Sequence, residues 1–202
     1  KSLVGESVKK PDLYYRNNVV GTLNLVSEML NNEINNLVFS STAAIFGNPL
    51  TDKIKEDHPK NPINPYGQSK LVVENLLQDI CFANDFNATC LRYFNAAGAH
   101  ESGQIGEAHD PETHLIPNVL KAVLSYESSL KVFGDDYPTA DGTCVRDYVH
   151  VTDLAQAHLL ALKYMERNKG FSDFNLGNGN GFSVLEIISS CEAITGKKVN
   201  FK

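Results

Sequence analysis

The chain is poor in every feature that would place it in a specialised environment. Its four cysteines, Cys81, Cys90, Cys144 and Cys191, are scattered with no C-x-x-C pair among them. That suits reduced thiols in a reducing compartment. Basic residues are outnumbered, 18 Lys and Arg against 24 Asp and Glu, for a formal charge of -6. No Lys/Arg cluster offers a stripe that could track a phosphate backbone, so a nucleic-acid partner is set aside. No apolar run approaches the roughly 20 residues a membrane span needs. The opening Lys1-Ser2-Leu3-Val4-Gly5-Glu6 lacks the apolar core of a signal peptide. A cytoplasmic protein is the expectation. Internal repeats and low-complexity tracts are also absent.

What remains is an ordinary globular composition, 42% hydrophobic and 21% charged over 202 residues. A chain of this length normally buries roughly 70% of its unfolded surface, enough for one or two domains. Pro11 opens a stretch in which Val19, Leu23, Val26 and Leu30 recur at three- and four-residue steps. The spacing predicts a helix over 11–34. LVFSSTAAIFG at 37–47, closed by Gly47 and Pro49, reads as a buried strand. Pro65 starts a helix to about 84, with Leu71, Val72, Leu76, Leu77 and Ile80 on its apolar side. Beyond it the patterns predict strands at 88–98, 130–134, 146–151 and 174–177, and helices at 114–126, 152–167 and 183–195. Strands alternating with helices imply crossover connections and a mainly parallel sheet, an α/β fold.

The first chemical signal is Tyr66-Gly67-Gln68-Ser69-Lys70 at a helix start. Four residues apart is one helix face, so phenol and ammonium can point into one cleft. Lowering a tyrosine pKa from about 10 to about 7 takes about 4 kcal/mol of preference for the phenolate. Lys70 and a cationic nicotinamide ring could supply that together. Tyr-x-x-x-Lys alone is a weak pattern, since both residues are commonly solvated on a helix face. The second signal is Thr42, at the end of the preceding strand, where open α/β sheets bind ligands. A hydroxyl there can bond a reacting sugar oxygen while Tyr66 takes its proton. Ser and Thr simply closing a strand is the plainer reading of the same residues.

FSSTAAIFG, PYGQSK, LRYFNAAGAH, KVFGDDYPTADGTCVRDYVHV and NLGNGNGFSVLE follow one another in this order over essentially the whole chain. Together they resemble the UDP-glucose 4-epimerases of the extended short-chain dehydrogenase/reductases. The resemblance implies a partial Rossmann-like, doubly wound parallel sheet with part of a smaller α/β substrate domain. It assigns residues 1–98 to the C-terminal part of the NAD-binding domain. Residues 99–202 fall to the substrate region, with later segments returning to the first domain. It further implies NAD as cofactor, a UDP-sugar as substrate and a homodimer as the full-length form.

Residue by residue, the resemblance makes Tyr66 the catalytic base and acid and Lys70 the group that tunes it and binds the cofactor ribose. Thr42 becomes the hydroxyl that shares the substrate proton, at a position where many members carry Ser. Asn17 and Phe94 match cofactor contacts, and Asn95 a contact to the substrate diphosphate. His114 and Leu115 match the segment against the uridine diphosphate, Phe133 the uracil pocket and Arg146 the diphosphate-binding guanidinium. Where the related nucleotide-sugar 4,6-dehydratases place an acidic pair after the strand-end hydroxyl, Ala43 and Ala44 stand here. A non-catalytic chain that binds a nucleotide-sugar or pairs with a full-length subunit is the reading from another class.

Some patterns mislead. LGNGNG at 176–181 fails the dinucleotide fingerprint because position 182 is Phe, and reads as a strand-to-helix turn. His100, His109 and His114 with Asp110 and Glu112 match no ligand spacing, so no metal site is expected. The family's Gly-rich phosphate turn is not among these residues. The expectation is therefore a chain with the reacting residues but an incomplete NAD site. Its first strand would have an unpaired edge.

Overall fold

The computed structural model describes residues 1–124 and 129–202. The chain divides into two compact units, Lys1–Phe94 with Asp153–Leu176, and Asn95–Thr152 with Gly177–Lys202.

The first unit is built on a parallel sheet of β1 (Asn36–Thr42), β2 (Asn87–Tyr93) and β6 (Phe171–Leu176), in the order β1-β2-β6. The register runs unbroken from Asn36↔Asn87 to Thr42↔Tyr93 on one side and from Ala88↔Phe171 to Tyr93↔Leu176 on the other. β1 and β6 are the two edge strands of this sheet, and β2 is central. β2 is buried almost throughout, which explains its lack of hydrophobic alternation.

Helices α4 (Pro65–Ala83) and α6 (Val151–Arg167) supply the covering layers. The Ser41 hydroxyl donates to Glu74 of α4 at 2.5 Å, while that of its neighbour Ser40 lies 3.2 Å from Nε2 of His158 on α6. Successive strand side chains point to opposite faces, so the two helices lie on opposite sides of β1. On the α4 side the core gathers Val26, Met29, Val73, Leu77, Phe86, Ala88 and Cys90. Asn64 caps α4 by accepting from the Gly67 amide at 2.9 Å, and Pro65 fills its first position.

The helix expected over 11–34 is present with an interruption. α2 (Pro11–Tyr14) and α3 (Gly21–Asn31) flank a π-helical segment, Tyr15–Val20. A short α1 (Val4–Lys9) precedes them, unforeseen because six residues are too few to show a period.

The second unit holds two small sheets. β3 (Asn95–Ala97) runs parallel to β5 (Tyr148–His150), and β4 (Val145–Arg146) antiparallel to β7 (Phe182–Ser183). α5 (Leu115–Leu124) packs with α7 (Val184–Thr195) around Val119, Val123, Leu130, Ile188 and Val199. The Ser183 hydroxyl accepts from the Glu186 amide and the Glu186 carboxylate accepts from the Ser183 amide, a complete capping box at the start of α7.

Four predicted strands need correction. The buried strand expected over 37–47 ends at Thr42 and is mostly half-buried at the sheet's edge, because the Thr42 hydroxyl caps a one-turn 3₁₀ helix at Ala43–Ile45. The segment 88–98 is two strands in different sheets, because the Asn95 amide leaves the first sheet's ladder to donate to the Asp147 carbonyl. The segment 146–151 divides at Asp147, whose carboxylate accepts from the amides of Asn178 and Gly179 at 3.0 and 2.9 Å. LKVFG at 130–134 forms only a parallel bridge from Leu130 to Phe201, and Gly134 turns the chain at φ +95°. Of the helix expected over 114–126, residues 125–126 lie outside the described residues.

Leu77 is fully buried in the α4 core. Leu77→Ala should cost about 2–5 kcal/mol of unfolding free energy by urea titration. A loss below about 1 kcal/mol would contradict this packing.

Candidate active site

The C-terminal end of β1 and the first turns of α4 meet at Thr42, Tyr66 and Lys70. Close approach depends on Gly67, where a Cβ would lie 2.5 Å from the carbonyl oxygen of Ala44. Any larger residue would push the helix away from the strand end. Thr42 itself caps the one-turn 3₁₀ helix Ala43–Ile45, accepting from the Ala44 amide at 3.2 Å.

The Thr42 hydroxyl stands close enough to the Tyr66 phenol to influence its ionisation. The phenol pKa lies above the ordinary tyrosine value, raised first by burial and also by Tyr93, and pulled back by the Thr42 hydroxyl. At neutral pH it is therefore protonated. The edge of the buried Tyr14 ring packs against it with centroids 6.5 Å apart. Tyr14 donates to the Leu3 carbonyl at 2.7 Å, and burial followed by Glu6 pushes its own pKa up to about 12.

Lys70 projects from the next turn. Its ammonium donates to the Ser40 carbonyl at 2.9 Å and stands 4.6 Å from the centroid of the Phe39 ring. Burial holds its pKa below the ordinary lysine value. Its charge is thus spent on the strand, and it is not among the groups that move the Tyr66 titration.

Beneath this group lies a cluster of ions. Arg92 on β2 is fully buried and forks onto Glu74 of α4, Nε to Oε1 at 2.9 Å and Nη2 to Oε2 at 2.7 Å. Nη2 also donates to Asp173 on β6, and Lys60 lies 3.7 Å from both carboxylates. Desolvation alone would lower the Arg92 pKa, but Glu74 and Asp173 outweigh it and hold it above the ordinary value.

Of the other residues singled out in the sequence, Asn17 is exposed on the π-helical segment and makes no hydrogen bond to the Tyr66 group among the described residues. Its buried neighbour Asn18 donates to Ser69 Oγ at 2.9 Å and links that segment to α4. Sequence reading passed over Asn18, although it lies four residues after Tyr14 on the same inward face. It also passed over Glu74 and Arg92, because charged residues in apolar elements read as exposed. Phe94 is half-buried at the end of the first unit.

In the second unit, the Asn95 side chain donates to the Asp147 carbonyl at 2.9 Å, which sets it beside the link between β4 and β5. Arg146 is exposed on β4. His114 is exposed before α5, and half-buried Leu115 is the first residue of that helix. Phe133 is 82% exposed in the loop after Leu130.

A buried ammonium costs stability while charged. The penalty is full below the depressed folded pKa of Lys70, shrinks as pH rises, and is gone above the ordinary value near 10.5. Lys70→Met is accordingly expected to raise the thermal midpoint at pH 7, by less as pH approaches 10. A variant that melts lower than the parent at pH 7 would contradict this.

Residues 1–177 match the NAD dependent epimerase/dehydratase family. UDP-glucose 4-epimerase of Halalkalibacterium halodurans is 50% identical over 198 residues, covering 98% of this chain and 59% of that protein. The mouse enzyme of the same name is 47% identical over 204 residues, with 98% and 58% covered. The structure of UDP-glucose 4-epimerase from Brucella ovis in complex with NAD superposes with a TM-score of 0.97 at 47% identity, over all of this chain and 62% of that one. That from Bifidobacterium longum, in complex with NAD+ and UDP, gives 0.94 at 41% identity over all of this chain and 61% of that one. The chain spans about three fifths of the length of the curated relatives it matches. With the hydroxyl, phenol and ammonium drawn together at a parallel strand's end, these likenesses show that the chain belongs to the NAD dependent epimerase/dehydratase family.

Proposed function

We propose that this chain is the central part of a UDP-glucose 4-epimerase, interconverting UDP-galactose and UDP-glucose with NAD as resident cofactor. The observation that carries the reading is the meeting of Tyr66 and Lys70, on the first turns of α4, with Thr42 at the end of β1, in a chain whose relatives bear that name. When bound, NAD would supply a hydride acceptor and a positively charged ring. The residues present fit its nicotinamide end: the Tyr66 phenol, the Lys70 ammonium and Phe94, with Asn17 on the π-helical segment.

Each side chain has a definable task in this reading. Tyr66, protonated at neutral pH as found, needs a nearby positive charge to reach the phenolate. Lys70 meets that need by leaving the Ser40 carbonyl for the cofactor ribose and the phenol. Thr42 accepts a hydrogen bond from the substrate hydroxyl and passes the proton toward Tyr66. Asn95, His114, Leu115, Phe133 and Arg146, all of the second unit, take the uridine diphosphate, Arg146 through its fixed donor fork. The first unit then serves as cofactor domain and the second as substrate region. A cytoplasmic homodimer is the form proposed for the full-length protein.

The test is conversion of UDP-galactose to UDP-glucose with NAD supplied. It is run on this chain and on the H. halodurans enzyme carrying these residues in place of its own matching segment. The exchanged enzyme should turn over, and Tyr66→Phe within it should lower kcat by about 100- to 10,000-fold. A folded exchange enzyme that is inactive, or a Tyr66→Phe variant that keeps its rate, would refute the proposal.

A further inference from the structure

In the second unit, the loop leading into α5 brings four metal-ligating side chains to one point. One donor atom from each of Glu107, His109, Glu112 and His114 lies within 4.8 Å of all the others. His109 Nδ1 is 2.9 Å from Glu107 Oε1 and 3.9 Å from Glu112 Oε2. His114 Nδ1 is 2.7 Å from the same Glu107 oxygen and 2.8 Å from Glu112 Oε1. The imidazole centroids are 4.9 Å apart and the rings tilted at 52°, so both rings turn the same nitrogen inward. We propose that these four residues form a binding site for a zinc-type divalent transition-metal ion.

The spacing favours a metal over a set of ion pairs. In a tetrahedral site with bonds of about 2.0–2.2 Å, neighbouring donors stand about 3.3–3.6 Å apart. The four separations straddle that range, so a small adjustment of exposed side chains completes the shell. As simple hydrogen bonding the arrangement is less economical, since both imidazoles offer Nδ1 to one Glu107 oxygen. A cation at the centre takes the place of hydrogen at both Nδ1 atoms, leaving each ring hydrogen on Nε2. Two carboxylates balance a charge of +2, and two nitrogen donors select a transition metal over magnesium or calcium, which take oxygen ligands.

A supporting shell is already in place. Glu112 is only 3% exposed at its side chain, and its Oε1 accepts from the backbone amides of Thr113 and His114, each at 2.8 Å. Such outer bonds hold a ligating carboxylate in orientation. The linear spacing hid the set: Glu107 was not among the residues the sequence grouped, whereas His100 and Asp110 were and do not belong to it. The ligands are read from geometry alone, but His114 is shared with the residues proposed above to take the uridine diphosphate, so metal and nucleotide would compete for that ring.

Calorimetric titration of zinc chloride into the purified chain tests it, beside His109→Ala and Glu107→Gln, both on exposed loop positions and checked for folding by circular dichroism. One zinc per chain is expected, with affinity weakened about tenfold or more in each variant. Cobalt in place of zinc should give the visible absorption of a tetrahedral site, lost in His109→Ala. Absence of zinc binding, or binding that both variants leave unchanged, would overturn the proposal.

Discussion

The fork of Arg92 onto Glu74 is the interaction on which the first unit depends. Arg92 comes from the central strand and Glu74 from the helix that carries Tyr66 and Lys70, and both are buried. Glu74 also accepts from Ser41, the residue before Thr42, and Arg92 reaches Asp173 on the third strand. One ion cluster thus joins every strand of the sheet to α4. It sits one turn beyond Lys70, so it sets how far Tyr66 can stray from the end of β1. Removing either partner would leave an unpaired charge in the interior, which is costlier than the pair's net worth.

The groups above that cluster are held against their own preferences. Burial favours the neutral phenol at Tyr66 and disfavours the ammonium at Lys70. At neutral pH the Tyr66 shift costs nothing, since the phenol is neutral whether folded or unfolded, while the Lys70 shift does cost stability and the apolar core around Val73, Leu77 and Phe86 offsets it. Groups whose environment opposes the charge they need in use mark functional sites more often than structural ones. In the function proposed above, a positively charged cofactor ring beside the phenol would relieve the opposition at Tyr66.

Much of the fold was legible because its elements keep simple periods. Pro65 with the apolar side of α4 located the helix within a residue of its end, and the apolar run at Leu37–Phe39 located β1. The failures came where tertiary bonds cut a continuous apolar pattern. Asn95 and Asp147 each end a strand by hydrogen bonds to distant backbone, and no local period reports that. In the site, Tyr66 and Lys70 were legible from their spacing and Thr42 from its place at a strand end. Glu74 and Arg92 were not, since nothing in a single sequence distinguishes a buried pair from two solvated charges. Asn17 and Asn18 show the same limit at one-residue resolution, for the π-helical segment decides which of them turns inward.

The account rests on the ion cluster as the clamp between helix and strand, and a double-mutant cycle on Glu74→Gln and Arg92→Met measures it directly by equilibrium unfolding. Each single substitution should cost about 3–5 kcal/mol, and the double substitution clearly less than their sum, because the second change removes the charge the first left stranded. Single costs below about 0.5 kcal/mol that simply add would mean that the helix is held by apolar packing alone and that the clamp is not what positions Tyr66.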